Sequence, residues 1–272
     1  ERRHITGFSN PTVKALRALR EKKHRKAAGR FLAEGLRLLT DARECGHVPE
    51  VLVLADRREP HPLLAALEAS VAAAGGEIIE TTPDILAKIT GKDNPQAVAG
   101  VFAEFGTALE AIERETAEIW LVAQALRDPG NMGTMLRTGD AVGAGGLILI
   151  DDCADPFSVE AVRASMGAIF TQKVARANWH DFLAWLREGD GQLVAASLRD
   201  AVPYRGALYQ APCFILVGNE SQGLPEEYEA ACDLRVTMPM KGRADSLNAA
   251  IAGAVLDRKS TRLNSSHLVI SY

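Results

Sequence analysis

From Ile119 to Val236 short apolar runs alternate with helix-patterned stretches, and no other feature of the chain constrains its fold as strongly. The pattern predicts strands over 119–123, 147–151, 172–175, 192–197, 213–217 and 234–238. Helices are predicted over 134–143, 158–168 and 179–187, with a last helix beginning near Ser246. Strands separated by helices pair in parallel and need cover on both faces, so a mostly parallel α/β sheet follows. Three polar, glycine-bearing segments come directly after apolar runs. They are Asn131-x-Gly133-x-x-x-Arg137, then Gly218-Asn219-Glu220-Ser221-Gln222-Gly223-Leu224, then Met238-Pro239-Met240-Lys241-Gly242 with Ser246-Leu247-Asn248. Read as strand-end loops, they converge on one edge of the sheet, the carboxyl edge where such sheets bind ligands.

The first part of the chain carries its own α/β pattern. Asn10-Pro11 reads as an N-cap followed by proline at the first helical position, with Val13, Leu16 and Leu19 on one face and Lys14, Arg17 and Arg20 toward water. Short strands fit 31–33, 51–55, 77–81 and 97–103, and helices fit 36–45 and 63–74, each closed by glycine. The acidic, Thr/Ala-rich stretch 104–118 has too little apolar content to be core and marks a junction. The expected organisation is a small α/β domain over 1–107 and a second α/β domain over 115–256. Residues 257–272 break the pattern with a Ser/Arg/Asn-rich string that resembles translated adapter or vector sequence, so a non-native or disordered tail is expected there.

Charge is unevenly distributed. Residues 1–35 hold ten Lys/Arg against three Asp/Glu, a local +7, while the whole chain is −4. A cationic arm on an acidic body suits contact with a polyanion, although a solvated helix face explains a charge run equally well. No apolar run reaches the length of a membrane span and no leader pattern opens the sequence, so a cytoplasmic protein is expected. The four scattered cysteines read as reduced thiols. The six histidines show no metal-ligand spacing, so no metal is expected.

Chemistry narrows by residue type. Gly130-Asn131-Met132-Gly133, with Asp151 about 20 residues on, approaches a dinucleotide-binding turn, but two residues separate the glycines where that fingerprint needs one. The loops offer amides, one carboxylate, one guanidinium and hydroxyls, without a histidine, a reactive cysteine or a Walker loop. This set suits a reaction that needs orientation and one proton acceptor while a cosubstrate carries the driving force, such as methyl transfer from a sulfonium.

The three segments, in this order, resemble the SpoU/TrmH branch of the SPOUT class of RNA 2'-O-ribose methyltransferases. Asn131, Gly133 and Arg137 match its first motif, and Gly218, Glu220, Gly223 and Leu224 its second. Pro239, Met240, Gly242, Ser246, Leu247 and Asn248 match its third. The likeness covers about residues 8–256. It implies a SPOUT domain whose carboxyl-terminal segment threads a trefoil knot, preceded by an RNA substrate-binding domain. It also implies S-adenosylmethionine as cofactor, held through Ser197, Gly218, Met238 and Leu247. Asn131, Arg137, Glu220, Ser246 and Asn248 are the implied catalytic set, with ribosomal RNA expected as substrate ahead of transfer RNA, and a homodimer. The competing readings are a non-catalytic RNA-binding module of the same fold and a base-methylating relative, the latter disfavoured by Ser246-Leu247-Asn248.

Overall fold

The computed structural model describes residues 1–93, 97–197, 199–219, 221–237 and 251–256. The chain divides into two compact units, one holding 1–105 with 155–171 and the other 106–154 with the described residues from 172 onward.

The first unit is built on five strands, β1 (Arg2–Ile5), β2 (Arg30–Glu34), β3 (Val51–Ala55), β4 (Glu77–Thr81) and β5 (Val98–Ala103), in the order β1-β4-β3-β5-β2. β1, β4 and β3 are parallel, and β5 runs antiparallel to both its neighbours. Five helices accompany them: α1 (Pro11–Ala18), α2 (Lys22–Ala28), α3 (Leu36–Glu44), α4 (Pro62–Ala73) and α5 (Pro83–Thr90). The Asn10 side chain caps α1 by accepting from Thr12 N–H at 2.9 Å, and Val13, Leu16 and Leu19 join the core while Lys14, Arg17 and Arg20 face water. That is the arrangement the sequence predicts. β1, α2 and α5 are not legible in it. β1 is a polar edge strand whose Arg2 and Arg3 pair with Glu68, Glu80 and Glu77. α2 has no apolar stripe; its buried residue is Arg25.

The second unit begins with β6 (Ile119–Gln124), α6 (Pro129–Ala141) and β7 (Gly146–Ile150). Next comes α7 (Val159–Ser165), which packs on β2 within the first unit. Sequence alternation reads this helix as cover for the second sheet. Its apolar residues are instead satisfied by the first unit, where Phe157 and Phe170 stand 5.0 and 6.0 Å from the Phe31 ring, centroid to centroid. Local periodicity reports that a helix buries a face, not which sheet receives it. The second unit continues through β8 (Lys173–Ala177), α8 (Trp179–Arg187), β9 (Gln192–Ala196), β10 (Val202–Pro203), β11 (Cys213–Val217), α9 (Glu226–Ala230) and β12 (Leu234–Thr237).

These seven strands form one all-parallel sheet, in the order β10-β12-β9-β11-β6-β7-β8. Trp120, Phe182, Leu193 and Phe214 are among its core side chains. From β6 the chain builds outward through β7 and β8, then reappears on the other side with β9, so the connection order reverses at the β6–β11 pair. Parallel α/β sheets bind ligands at such a switch point. Residues 251–256 are helical, with Ile251, Ala252 and Val255 buried. The implied knot falls on the segment from Met238 onward, most of which, with the tail 257–272, lies outside the described residues.

Candidate active site

The strand ends that lead toward the first two sequence motifs lie side by side at the switch point. β6 and β11 pair in register, Ala123 opposite Val217, so Gln124 and Gly218 leave the sheet side by side at the carboxyl edge. Asn219 ties the two exits together: its Nδ2 donates to Ala125 O at 2.9 Å. Its Oδ1 meanwhile accepts from Ser221 N–H at 2.9 Å and Gln222 N–H at 3.2 Å, and Gly223 closes the loop in the left-handed region with its N–H on Asn219 O at 2.7 Å. Gly218 has no room for a side chain, since a Cβ would stand 2.5 Å from Leu224 N. Asn219, which is not one of the matched motif positions, is thus the residue that shapes this loop. Its signal in the sequence is the Asx-turn chemistry of an asparagine two residues before a backbone N–H.

The first motif is not a loop. Asp128 caps α6 by accepting from Asn131 N–H at 2.8 Å, and Pro129 takes the first turn, so Asn131, Gly133 and Arg137 all lie on helix rather than before it. The apolar pattern predicts this helix only from 134; the Asp-Pro pair is the start signal that places it earlier. Asn131, Thr134 and Arg137 follow one another three apart along a ridge of α6. Asn131 is half-buried and Arg137 exposed, and among the described residues the Arg137 guanidinium has no ion-pair or hydrogen-bond partner. A cation standing free on the helix that rises from the switch point is available to an anionic substrate.

Ser197 follows β9 at the same edge. It is buried, its N–H bonds to Val236 O at 3.0 Å, and its Oγ accepts from Arg199 N–H at 3.0 Å. β12 ends at Thr237, immediately before the third motif. Glu220, Met238, Ser246, Leu247 and Asn248 lie outside the described residues.

Backbone conformation singles out this edge as well. Ala125 and Asp151, the residues just past β6 and β7, both take positive φ, 53° and 63°, a region that non-glycine residues enter at an energetic cost and that recurs at functional sites. Asp151 is fully engaged rather than poised for a ribose. Its Oδ1 accepts from Trp179 N–H at 3.1 Å, and its Oδ2 accepts from the Tyr228 hydroxyl at 2.7 Å and Gln124 Nε2 at 3.3 Å. Tyr228 stacks on Trp179 with centroids 4.1 Å apart. Desolvation first, then the adjoining Asp151 carboxylate, push the Tyr228 phenol up to about 12, so it stays a donor. Burial raises the Cys153 thiol too, which removes it as a nucleophile. No group of histidine, cysteine or carboxylate suited to a metal occurs among the described residues.

An all-parallel α/β sheet with a bare glycine and an asparagine-tied loop at its switch point defines the class of α/β ligand-binding domains. The more specific assignment comes from likeness. A family model described as the SpoU rRNA Methylase family matches residues 118–256, and one described as an MRM3-like substrate binding domain matches residues 10–100. The 23S rRNA (guanosine(2553)-2'-O)-methyltransferase RlmP of Bacillus subtilis (strain 168) is 30% identical over 255 residues, covering 93% of this chain and 97% of its own. A crystal structure of an AdoMet-bound rRNA methyltransferase from Sinorhizobium meliloti is 37% identical, with a TM-score of 0.86 over 94% of this chain and 98% of that one. The SpoU methyltransferase AviRb from Streptomyces viridochromogenes, in complex with AdoMet, gives 25% identity and a TM-score of 0.82, covering 92% of this chain and 98% of its own. The chain belongs to the SpoU methylase family.

Proposed function

We propose that the protein transfers the methyl group of S-adenosylmethionine to a ribose 2'-hydroxyl of RNA, and that the RNA is ribosomal. The observation that carries this reading is the pairing of β6 and β11 at the switch point, with Gly218 bare at one strand exit and Arg137 exposed on the helix that follows the other. Gly218 is held as bare backbone by the loop packed against it, which suits the close approach of a cofactor. When bound, S-adenosylmethionine supplies a methyl group already activated on sulfur, so the protein's task is orientation and one proton.

Arg137 stays protonated at any ordinary pH and therefore positions the phosphate and the 2'-hydroxyl rather than taking the proton. Asn131, two positions back along the same ridge, holds the ribose. The new bond joins the 2'-oxygen to the methyl carbon, the carbon–sulfur bond breaks, and the hydroxyl proton leaves toward the RNA phosphate or water. Glu220, Ser246 and Asn248 complete the catalytic set in this proposal, and Met238 and Leu247 the adenine contacts. The proposal extends to a homodimer acting in the cytoplasm. No helix among the described residues is long and apolar enough to cross a membrane.

The test is methyl incorporation from labelled cofactor into ribosomal RNA by the wild type, Arg137→Ala and Asn131→Ala, with cofactor affinity measured beside it. Loss of one electrostatic positioning group predicts a rate about 100-fold lower at undiminished cofactor affinity. An unchanged rate for Arg137→Ala overturns the assignment.

A further inference from the structure

Phe8 is set apart from the other aromatic side chains of the first unit. Seven of the eight phenylalanines are buried or half-buried, whereas Phe8 is 52% exposed and makes no ring contact among the described residues. A benzyl ring left in water forgoes the stabilisation that its burial would bring. It sits on the turn between β1 and α1, which Asn10 closes by donating its N–H to Gly7 O at 3.2 Å. Open space surrounds that turn, since a Cβ at Gly7 would have no neighbour within 4 Å. On the helix that follows, Lys14, Arg17 and Arg20 come three residues apart, a spacing that aligns side chains along one face. α1 ends at Ala18, and bonds from Leu19 N–H to Leu16 O at 3.2 Å and from Arg20 N–H to Arg17 O at 3.1 Å continue its winding as far as Arg20. All three cations are exposed, and among the described residues none has an ion-pair partner. Arg2, Arg3, Arg25 and Arg30, by contrast, are each held by a carboxylate. Gly91 makes room for the last cation of the row, because a Cβ there would stand 2.6 Å from the Arg20 guanidinium carbon. The row lines a depression of about 680 Å³ that also carries Arg163 against Glu21 and Glu160, so the lining is net cationic.

A short row of unpaired cations, about 9 Å long at the helical rise, neutralises neighbouring phosphates of one strand. Only the cap and first turn of α1 separate Phe8 from Lys14, so the exposed ring stands at the amino end of that row. An aromatic ring there stacks on any base whose face is open. In an A-form duplex each base is covered by the next, and side chains meet phosphates, 2'-hydroxyls and groove edges, so the ring would have nothing to lie on. An acidic protein segment would engage the cations without offering a flat ring at a fixed distance from each charge. Unpaired RNA offers both. We propose that the β1–α1 turn and α1 form a track for an unpaired strand of the RNA substrate, in which Phe8 stacks on a base while Lys14, Arg17 and Arg20 hold the phosphates of adjacent nucleotides. Stacking tolerates every base, so the track selects an unpaired strand rather than a sequence. The inference rests on the RNA reading of the protein but not on methyl transfer.

The experiment uses the full chain and fluorescence anisotropy with three 5'-labelled probes: an adenosine decanucleotide, an abasic ribose-phosphate chain of the same length and charge, and an RNA duplex of the same length. Phe8→Ala is expected to weaken binding of the adenosine oligomer about tenfold while leaving the abasic chain and the duplex unchanged. Phe8→Tyr keeps the wild-type affinity, and Phe8→Leu, apolar but without a π face, behaves as the alanine variant does. Lys14→Gln/Arg17→Gln weakens the adenosine and abasic chains alike. Position 8 is exposed, so its variants are expected to keep the wild-type melting temperature. The proposal is overturned if the wild type does not bind the adenosine oligomer at low salt, if Phe8→Ala binds it undiminished, or if the abasic chain loses as much. Full affinity in Phe8→Leu overturns the stacking role. A Phe8-dependent preference for the adenosine oligomer in a protein that methylates no ribosomal RNA sinks the proposed reaction and leaves the track standing. Methylation of ribosomal RNA with Phe8→Ala binding as the wild type does is the reverse outcome.

Discussion

Asp155→Ala is expected to be among the most destabilising single substitutions in the first unit. Arg25 is 3% exposed and Asp155 9%. Arg25 Nη1 donates to Leu19 O at 3.0 Å and Arg20 O at 2.8 Å, while Nε and Nη2 donate to Asp155 Oδ2 at 3.3 and 3.1 Å. Asp155 Oδ1 also accepts from Phe157 N–H at 3.0 Å. Removing the carboxylate leaves a buried guanidinium with two carbonyl partners and no counter-charge. Breaking a buried pair from one side costs about 3–5 kcal/mol, a large fraction of the roughly 5–15 kcal/mol that holds a domain folded. The double variant Arg25→Met/Asp155→Leu, which removes both charges and keeps volume, should recover most of that loss. Trp120, Trp179 and Trp185 all lie in the second unit, so tryptophan fluorescence does not follow the event. Amide hydrogen exchange of β3 and β5 does, and exchange there should accelerate by about two to three orders of magnitude in Asp155→Ala. An acceleration below about fivefold, or a double variant no more stable than the single, would refute the argument that the pair carries this weight.

Affinity for RNA should fall steeply with salt, and replacing Lys14 and Arg17 together by glutamine should reduce the slope of log K against log salt by about 0.7–0.9 for each phosphate no longer neutralised; an unaltered slope removes that face from the RNA interface. Asn219→Ala frees the second-motif loop from Ala125 and should weaken cofactor binding about three- to tenfold, measured by calorimetry, with little change in melting temperature. Burial pushes the Cys213 and Cys232 thiols up to about 12 from an ordinary 9, so unfolded thiols ionise while folded ones stay protonated. Stability is therefore intact below pH 9 and lost as pH rises toward 12, and the urea midpoint measured between pH 8 and 11 should fall less in Cys213→Ala than in the wild type.

Much of the fold is legible in the order of residues where burial is two-sided. β3 and β11 occupy the ranges that their apolar runs predict, because a strand buried on both faces announces itself as a continuous hydrophobic run. Three of the elements that escape are held by something other than an apolar stripe, β1 by edge ion pairs, α2 by Arg25 and α9 by the Tyr228 contacts, whereas α5 escapes although it buries Ile85, Leu86 and Ile89. Arg25 also shows where charge counting misleads. It is one of the ten cations of residues 1–35 that read as an arm suited to a polyanion, yet it is buried against Asp155. Arg2, Arg3 and Arg30 are likewise engaged by glutamates. At the candidate active site, Arg137 and Gly218 enter as candidates through the family motifs they match. The role of Asn219 and the engagement of Asp151 depend on which strands become neighbours, which spacing along the chain does not contain.

The return of residues 155–171 to the first unit sets a schedule for biosynthesis. Phe157 and Phe170 complete the aromatic cluster around Phe31 and Phe102, and Asp155 neutralises Arg25, yet all three emerge from the ribosome after β6 and β7 have been made. Amino-terminal domains commonly fold as soon as their own sequence is out. Here residues 1–105 must wait with an open apolar face and an uncompensated cation until the later segment arrives. A nascent chain halted shortly after residue 105 is therefore the species most exposed to chaperones and proteases, and severing the gene at that junction yields a fragment lacking part of its own interior.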